Sequence, residues 1–245
     1  MTKFSFDAYA ERARAVKDND QATARLLATK EATRRIVLDV AQKLDIQPTD
    51  RLLDVGCGVG QLGIPLSFMV ESYTGIDHPD VVERFRQRIS DENIELIGAD
   101  FLEHDFGKRL VTKVLIYSVI NYLSFQELVA MLNKAGGMIE PRGKMLIGDI
   151  PNEHLRNRFF GSAYGIFFDT SWSRQFNERV EEEKATVLAT ELPRHPDPDA
   201  IRPDDNLVLE IVRAFRAGGF SAYIMPQNDG LPMWFQREDI VVEAP

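Results

Sequence analysis

The stretch that most constrains this chain is residues 51–65, RLLDVGCGVGQLGIP. Leu52, Leu53 and Val55 make an apolar run short enough for a buried strand, and it breaks at once into Gly56, Gly58 and Gly60. The apolar segment at residues 62–70 then reads as a helix. Glycines at alternate positions permit positive φ and leave no Cβ between main chain and ligand, so a flat or extended molecule can lie against such a turn. The free N–H groups of a following helix start favour polar or anionic groups. Asp54 stands at the carboxyl end of the strand, where ligands of open α/β sheets bind. The stretch reads as a small-molecule cofactor site.

The same alternation of strand and helix recurs along the chain. Residues 21–44 carry apolar positions at helical spacing, among them Val40, Ala41 and Leu44, and Gln47 to Asp50 turn the chain into the first strand. Residues 73–77 (YTGID) read as a second strand, with a helix beginning near Pro79 on Val82, Phe85 and Ile89, and residues 94–99 as a third. Residues 112–119 (TKVLIYSV) form a continuous apolar fourth strand. A helix over 124–135 follows, with Ser124 and Glu127 in capping-box spacing and Gly136 and Gly137 to stop it. Residues 143–150 are the fifth strand and 205–217 the last helix. Five such alternations predict an α/β fold: a parallel sheet covered on both faces.

Three strands end in an acid. Asp77 lies about as far beyond the glycine turn as the acid that binds a ribose in dinucleotide folds, and its carboxylate can accept both hydroxyls. Capping of the helix at Pro79 is the other role open to it. Asp100 beside Phe101 suits an adenine, whose exocyclic amine donates to the carboxylate while its face packs on apolar surface.

Composition bounds the partners. With 245 residues, 44% hydrophobic and 27% charged, the chain suits one globular domain with room for an insertion. A net charge of −9 speaks against a nucleic-acid partner, which calls for a basic surface. No apolar run is long enough to span a membrane, and Asp7, Glu11, Arg12 and Arg14 occupy the place of a signal peptide's apolar stretch. A cytoplasmic location is expected. Cys57 is the sole cysteine, so no internal disulfide or cysteine metal cluster can form.

From about residue 35 onward the chain resembles the class I S-adenosylmethionine-dependent methyltransferases, whose first motif is matched by Asp54-Val55-Gly56-Cys57-Gly58-Val59-Gly60. The resemblance implies S-adenosylmethionine as cofactor: Asp54 on the amino group of its methionine portion, and Gly56, Gly58 and Gly60 letting that portion pass. Asp77 would take the ribose and Asp100 the adenine amine, with Phe101 beside the ring and Tyr117 and Ser118 bordering the methyl end. Cys57 in the turn and His78 beside Asp77 complete the cofactor-binding set. A Rossmann-like, seven-stranded, mostly parallel sheet ending in an antiparallel hairpin is also implied. Residues 220–225, a Gln227-Asn228-Asp229-Gly230 turn and residues 231–242 supply that hairpin. Residues 1–245 then form one methyltransferase domain, with an N-terminal helical arm over 1–45 and a lid or substrate insertion over 150–204. Residues 58–63 also fit a nicotinamide-dinucleotide fingerprint, but Asp54 inside the strand and the closing hairpin disfavour it.

The insertion carries the acceptor question. It opens on Asp149-Ile150-Pro151-Asn152-Glu153-His154-Leu155-Arg156, with His154 and Arg156 placed to face the cleft. His154 is the candidate catalytic base, because its ordinary pKa suits proton transfer near neutrality. Phe159, Phe160, Tyr164, Phe167, Phe168, Trp172 and Phe176 crowd one segment, against 9% aromatic residues overall. They read either as a lid core or homodimer interface, or as the wall of a substrate pocket. After the fourth strand the chain lacks the Asn/Asp-Pro-Pro-aromatic signature of adenine and amide methylation. Cys57 in the turn cannot serve as a cytosine nucleophile, and no acids stand where catechol-type enzymes hold a metal. The expectation is metal-independent O-methylation of a small polar acceptor such as a sugar or secondary metabolite, bound without nucleic acid or membrane. The alternatives are N-methylation of a small amine and a non-catalytic relative that binds the cofactor or a partner.

Overall fold

The computed structural model describes residues 30–168, 199–231 and 233–245, together with Asp7, Ala10, Glu11 and Arg14. Each short apolar run becomes a strand: β1 (Arg51–Val55), β2 (Ser72–Asp77), β3 (Ile94–Gly98), β4 (Val111–Tyr117) and β5 (Ile139–Pro151). They pair in parallel, and the hairpin strands β6 (Ser221–Pro226) and β7 (Arg237–Glu243) close the sheet antiparallel, in the order β3-β2-β1-β4-β5-β7-β6. The strand order reverses between β1 and β4, which opens a crevice at their carboxyl ends.

Alternation along the central strands divides the core into two layers. Val114 and Ile116 of β4 point to the layer covered by α4 (Phe125–Gly136) and α6 (Asp205–Ala217), through Leu128, Met131, Val208 and Phe215. Leu115 and Tyr117 point to the opposite layer, where α1 (Lys30–Leu44), α2 (Gly63–Ser67) and α3 (Pro79–Arg86) bring Val40, Leu44, Leu66 and Phe85. Both faces of the sheet are thus covered, the condition under which parallel strands are stable. The expected capping box forms at α4, where Ser124 and Glu127 each satisfy the other's backbone N–H.

Three elements depart furthest from the sequence expectation, and at two of them a tertiary contact overrides a local signal. The second hairpin strand starts at Arg237 rather than residue 231, since Met233 at φ 61° and a 3₁₀ turn (Trp234–Gln236) bury Phe235 before the ladder begins. β5 starts four residues early because Ile139 pairs with Val111 across an irregular register. The helix expected over 62–70 contracts to Gly63–Ser67. Residues 21–29 of the helix expected over 21–44 lie outside the described residues.

Candidate functional site

The glycine turn takes the geometry its sequence requires. Gly56, Gly58 and Gly60 have φ of 78°, 58° and 83°. A Cβ at Gly56 would stand 2.5 Å from Val119 Cγ2, and one at Gly60 would stand 2.4 Å from Phe85 Cε2. The backbone is therefore pressed against its neighbours where only glycine fits. Gly56 N–H and Cys57 N–H both donate to Ile76 O, at 2.9 and 3.3 Å, which ties the turn to β2.

That tie brings the acids together. Asp54 is 3% exposed and accepts the Tyr73 hydroxyl at 2.7 Å. Asp77 is also buried, and it accepts Gly58 N–H on Oδ2 at 2.8 Å and His78 N–H on Oδ1 at 2.6 Å. Burial pushes the Asp77 carboxyl above its ordinary range, and the two amide donors oppose that rise. Burial, with Asp77 and Asp54 nearby, also raises Cys57. Tyr73 is raised by burial and by Asp54, so it stays a neutral donor. Asp100 Oδ1 accepts Leu102 N–H at 2.8 Å, a local turn about Phe101. Lys134 secures this corner from α4, with Nζ 2.6 Å from the carbonyls of both Phe101 and His104 and 5.1 Å from the Phe101 ring centroid.

One cleft of about 880 Å³, counted to its open mouth, gathers these groups. Of the residues expected to bind cofactor, Asp54, Gly56, Cys57, Gly58, Asp77, Asp100, Phe101, Tyr117 and Ser118 line it. Gly60 shapes the turn without lining the cleft, and His78 caps α3 by accepting Asp80 N–H on Nδ1 at 3.2 Å. Gln61, Tyr122 and Met131 also line the cleft, and the expected site did not include them. Tyr122 follows the fourth strand directly and could have been inferred from that. Met131 reaches the cleft from mid-helix with no signal beyond its helical spacing.

The acceptor side departs from expectation. His154, on α5 (Glu153–Phe160), does not line the cleft. It is half-exposed, and its ring nitrogens lie 3.9 and 3.7 Å from carboxylate oxygens of Asp204 and Asp205 at the start of α6. Asn152 caps α5 by accepting Leu155 N–H, which puts His154 in the first turn of that helix. Arg156 likewise stays off the cleft, over the Phe160 ring at 5.3 Å. Phe159, Phe160 and Phe168 pack on Phe235, at 5.0, 5.3 and 5.2 Å between centroids, and Trp234 joins at 5.4 Å from Phe159. The rings therefore form a small core shared with the hairpin, while Tyr164 and Phe167 stay exposed. Trp172 and Phe176 lie outside the described residues.

This architecture, with its glycine turn and acid-ended strands, is the class I methyltransferase fold. Over residues 52–143 the chain matches the family model described as a methyltransferase domain. It is 33% identical over 112 residues to the uncharacterized methyltransferase YodH of Bacillus subtilis, a match covering 44% of this chain and 46% of that protein. The chain spans less than two thirds of each curated relative it matches. Among solved structures, the N-methyltransferase NodS from Bradyrhizobium japonicum, in complex with S-adenosylhomocysteine, superposes with a TM-score of 0.61 at 12% identity, over 98% of both chains. The mitomycin 7-O-methyltransferase MmcR superposes at 0.59 and 14% identity, over 97% of this chain and 60% of that one. At these identities the likeness is one of fold. Among the described residues no helix is long and apolar enough to cross a membrane.

Proposed function

We infer that the chain is a methyltransferase which binds S-adenosylmethionine in this cleft and methylates an oxygen of a small polar acceptor without a metal. The observation that carries the reading is the row of carboxylates at successive strand ends, Asp54, Asp77 and Asp100, all lining one cleft. Ionised carboxylates only accept hydrogen bonds, and the cofactor presents donors in matching kinds: an ammonium, two ribose hydroxyls and an adenine amine. Asp54 takes the ammonium and Asp77 the ribose, while Asp100 and Phe101 hold the adenine. Gly56, Cys57 and Gly58 line the passage of the methionine portion, and Tyr117 and Ser118 border its methyl end.

When bound, the cofactor supplies an electrophilic methyl group on a sulfonium sulfur. The protein's part is to align an acceptor, exclude water and receive the acceptor's proton. The insertion expected over 150–204, of which 169–198 lie outside the described residues, is assigned as the acceptor-side element, and the ring cluster of Phe159, Phe160 and Phe168 on Phe235 gives its described part a core. A cytoplasmic enzyme of small metabolites fits these features.

The test is transfer of label from S-adenosylmethionine carrying a tritiated methyl group to fractions of a small-molecule extract, with EDTA present throughout. The expected product is small, EDTA-resistant and methylated on oxygen by NMR. Label on nitrogen moves the assignment to amine acceptors, label on RNA or protein overturns the small-acceptor reading, and binding without transfer marks a non-catalytic relative.

A further inference from the structure

Two non-glycine residues at neighbouring strand ends hold left-handed backbone conformations, Ser118 after β4 at φ 60° and Asp149 in β5 at φ 59°. Such conformations are costly for side-chain-bearing residues and persist only where surrounding structure imposes them. The imposing structure is visible. Ile147 pairs with Ile240 and Ile150 with Glu238, so Gly148 and Asp149 together face the single residue Asp239. This is a β-bulge, a device that re-aims a side chain. Asp239, fully buried, accepts the Asp149 N–H at 2.8 Å, and Lys43 Nζ holds Asp239 at 2.6 Å. Arg237 donates to the Asp149 carbonyl at 3.1 Å. The result is direct contact between the two strained residues: the Ser118 hydroxyl donates to Asp149 Oδ2. Ser118 lines the cleft, whereas Asp149 stands behind it.

We propose that Ser118 and Asp149 form the proton-handling pair of the acceptor site, which rests on the cofactor reading given above. Ser118 is the catalytic residue and meets the acceptor hydroxyl with its oxygen. Asp149 is the positioning residue, which turns the Ser118 proton away from the cleft so that a lone pair faces the acceptor. As the acceptor oxygen bonds to the methyl carbon, its proton passes to Ser118 Oγ and the Ser118 proton passes to Asp149 Oδ2. The electron pair of the broken carbon–sulfur bond stays on sulfur, so charge and atoms balance. The substrate class that fits is an uncharged hydroxyl compound, for which an oriented acceptor oxygen is the complement.

The test needs no acceptor. Sinefungin places an ammonium where the sulfonium carries its methyl group, whereas S-adenosylhomocysteine places nothing there. Calorimetry on the whole chain gives the dissociation constants of both ligands for wild type, Ser118→Gly and Asp149→Asn. Glycine suits the left-handed backbone at 118, so Ser118→Gly is expected to fold and to melt no lower than wild type. Each variant is expected to lower the preference for sinefungin by about tenfold, the scale of one hydrogen bond to a charged group, while leaving S-adenosylhomocysteine binding within about twofold. If both ligands bind and the ratio matches wild type in both variants, the pair has no part in the acceptor site. If both affinities drop together, the pair is only structural and the proposal also falls. Wild type binding neither ligand overturns the cofactor reading and this proposal with it.

Discussion

The parts of the cleft that we assign to cofactor and to acceptor are built by different means. In the donor half the deciding contacts are short in sequence: Asp54 meets Tyr73 and Asp77 meets Gly58, each 19 residues apart. In the acceptor half Ser118 meets Asp149 across 31 residues, Asp149 meets Asp239 across 90 and Asp239 meets Lys43 across 196. One βαβ unit places Asp54, the glycine turn and Asp77, while Asp100 and Phe101 follow β3 and are secured by Lys134 of α4. The acceptor half exists only when the whole sheet, including its C-terminal hairpin and α1, has assembled. On this assignment cofactor binding and acceptor chemistry are expected to be separable, and substitutions should sort accordingly.

The largest effect is expected at the far end of the acceptor network. Lys43→Met leaves Asp239 buried and without its cation, and chemical denaturation should show a loss of about 3–5 kcal/mol. A loss below 1 kcal/mol would mean that Asp239 takes up a proton at little cost, a direction its burial already favours. Next comes Phe235→Ala, at about 3 kcal/mol of stability, because this buried ring is the one on which Phe159, Phe160 and Phe168 converge. Calorimetry should leave its S-adenosylmethionine affinity within about twofold of wild type; a tenfold loss would merge the two halves.

Asp77→Ala acts on the other half. It should weaken S-adenosylmethionine binding by about 1.5–3 kcal/mol, the worth of hydrogen bonds to a charged group. The pH dependence has a definite sign. Burial raises the Asp77 pKa, and the protonated carboxyl gives up acceptor capacity, so affinity is lost as pH falls through that raised value and is full above it. Asp77→Asn should flatten this acid limb. The smallest effect belongs to His154→Ala, below about 0.5 kcal/mol in stability and without change in cofactor affinity, because its partners are met at a half-exposed site.

The contrast between the halves also explains what could be read from the sequence. Strand β1, the glycine turn and Asp77 were legible because apolar period, glycine spacing and acid position are local signals. The C-terminal hairpin was legible in outline, but its second strand starts late because Phe235 is recruited by rings some seventy-five residues earlier in the chain, a contact no local pattern announces. Asp149 was visible as an acid at a strand end. Its left-handed backbone and its aim at Ser118 depend on Asp239, which sits one β-bulge away on an antiparallel partner. His154 looked suited to proton transfer by residue type alone, and the structure places it in the first turn of the helix that Asn152 caps, beside Asp204 and Asp205 and off the cleft lining.

The measurement that tests the central claim most directly is calorimetric titration of the wild-type chain with S-adenosylmethionine, with NAD in parallel and Asp77→Ala as control. Micromolar binding of S-adenosylmethionine, weakened at least tenfold by the substitution, with no heat from NAD, is the expected result. Binding of NAD in its place, or S-adenosylmethionine affinity indifferent to Asp77, would contradict the assignment of this cleft.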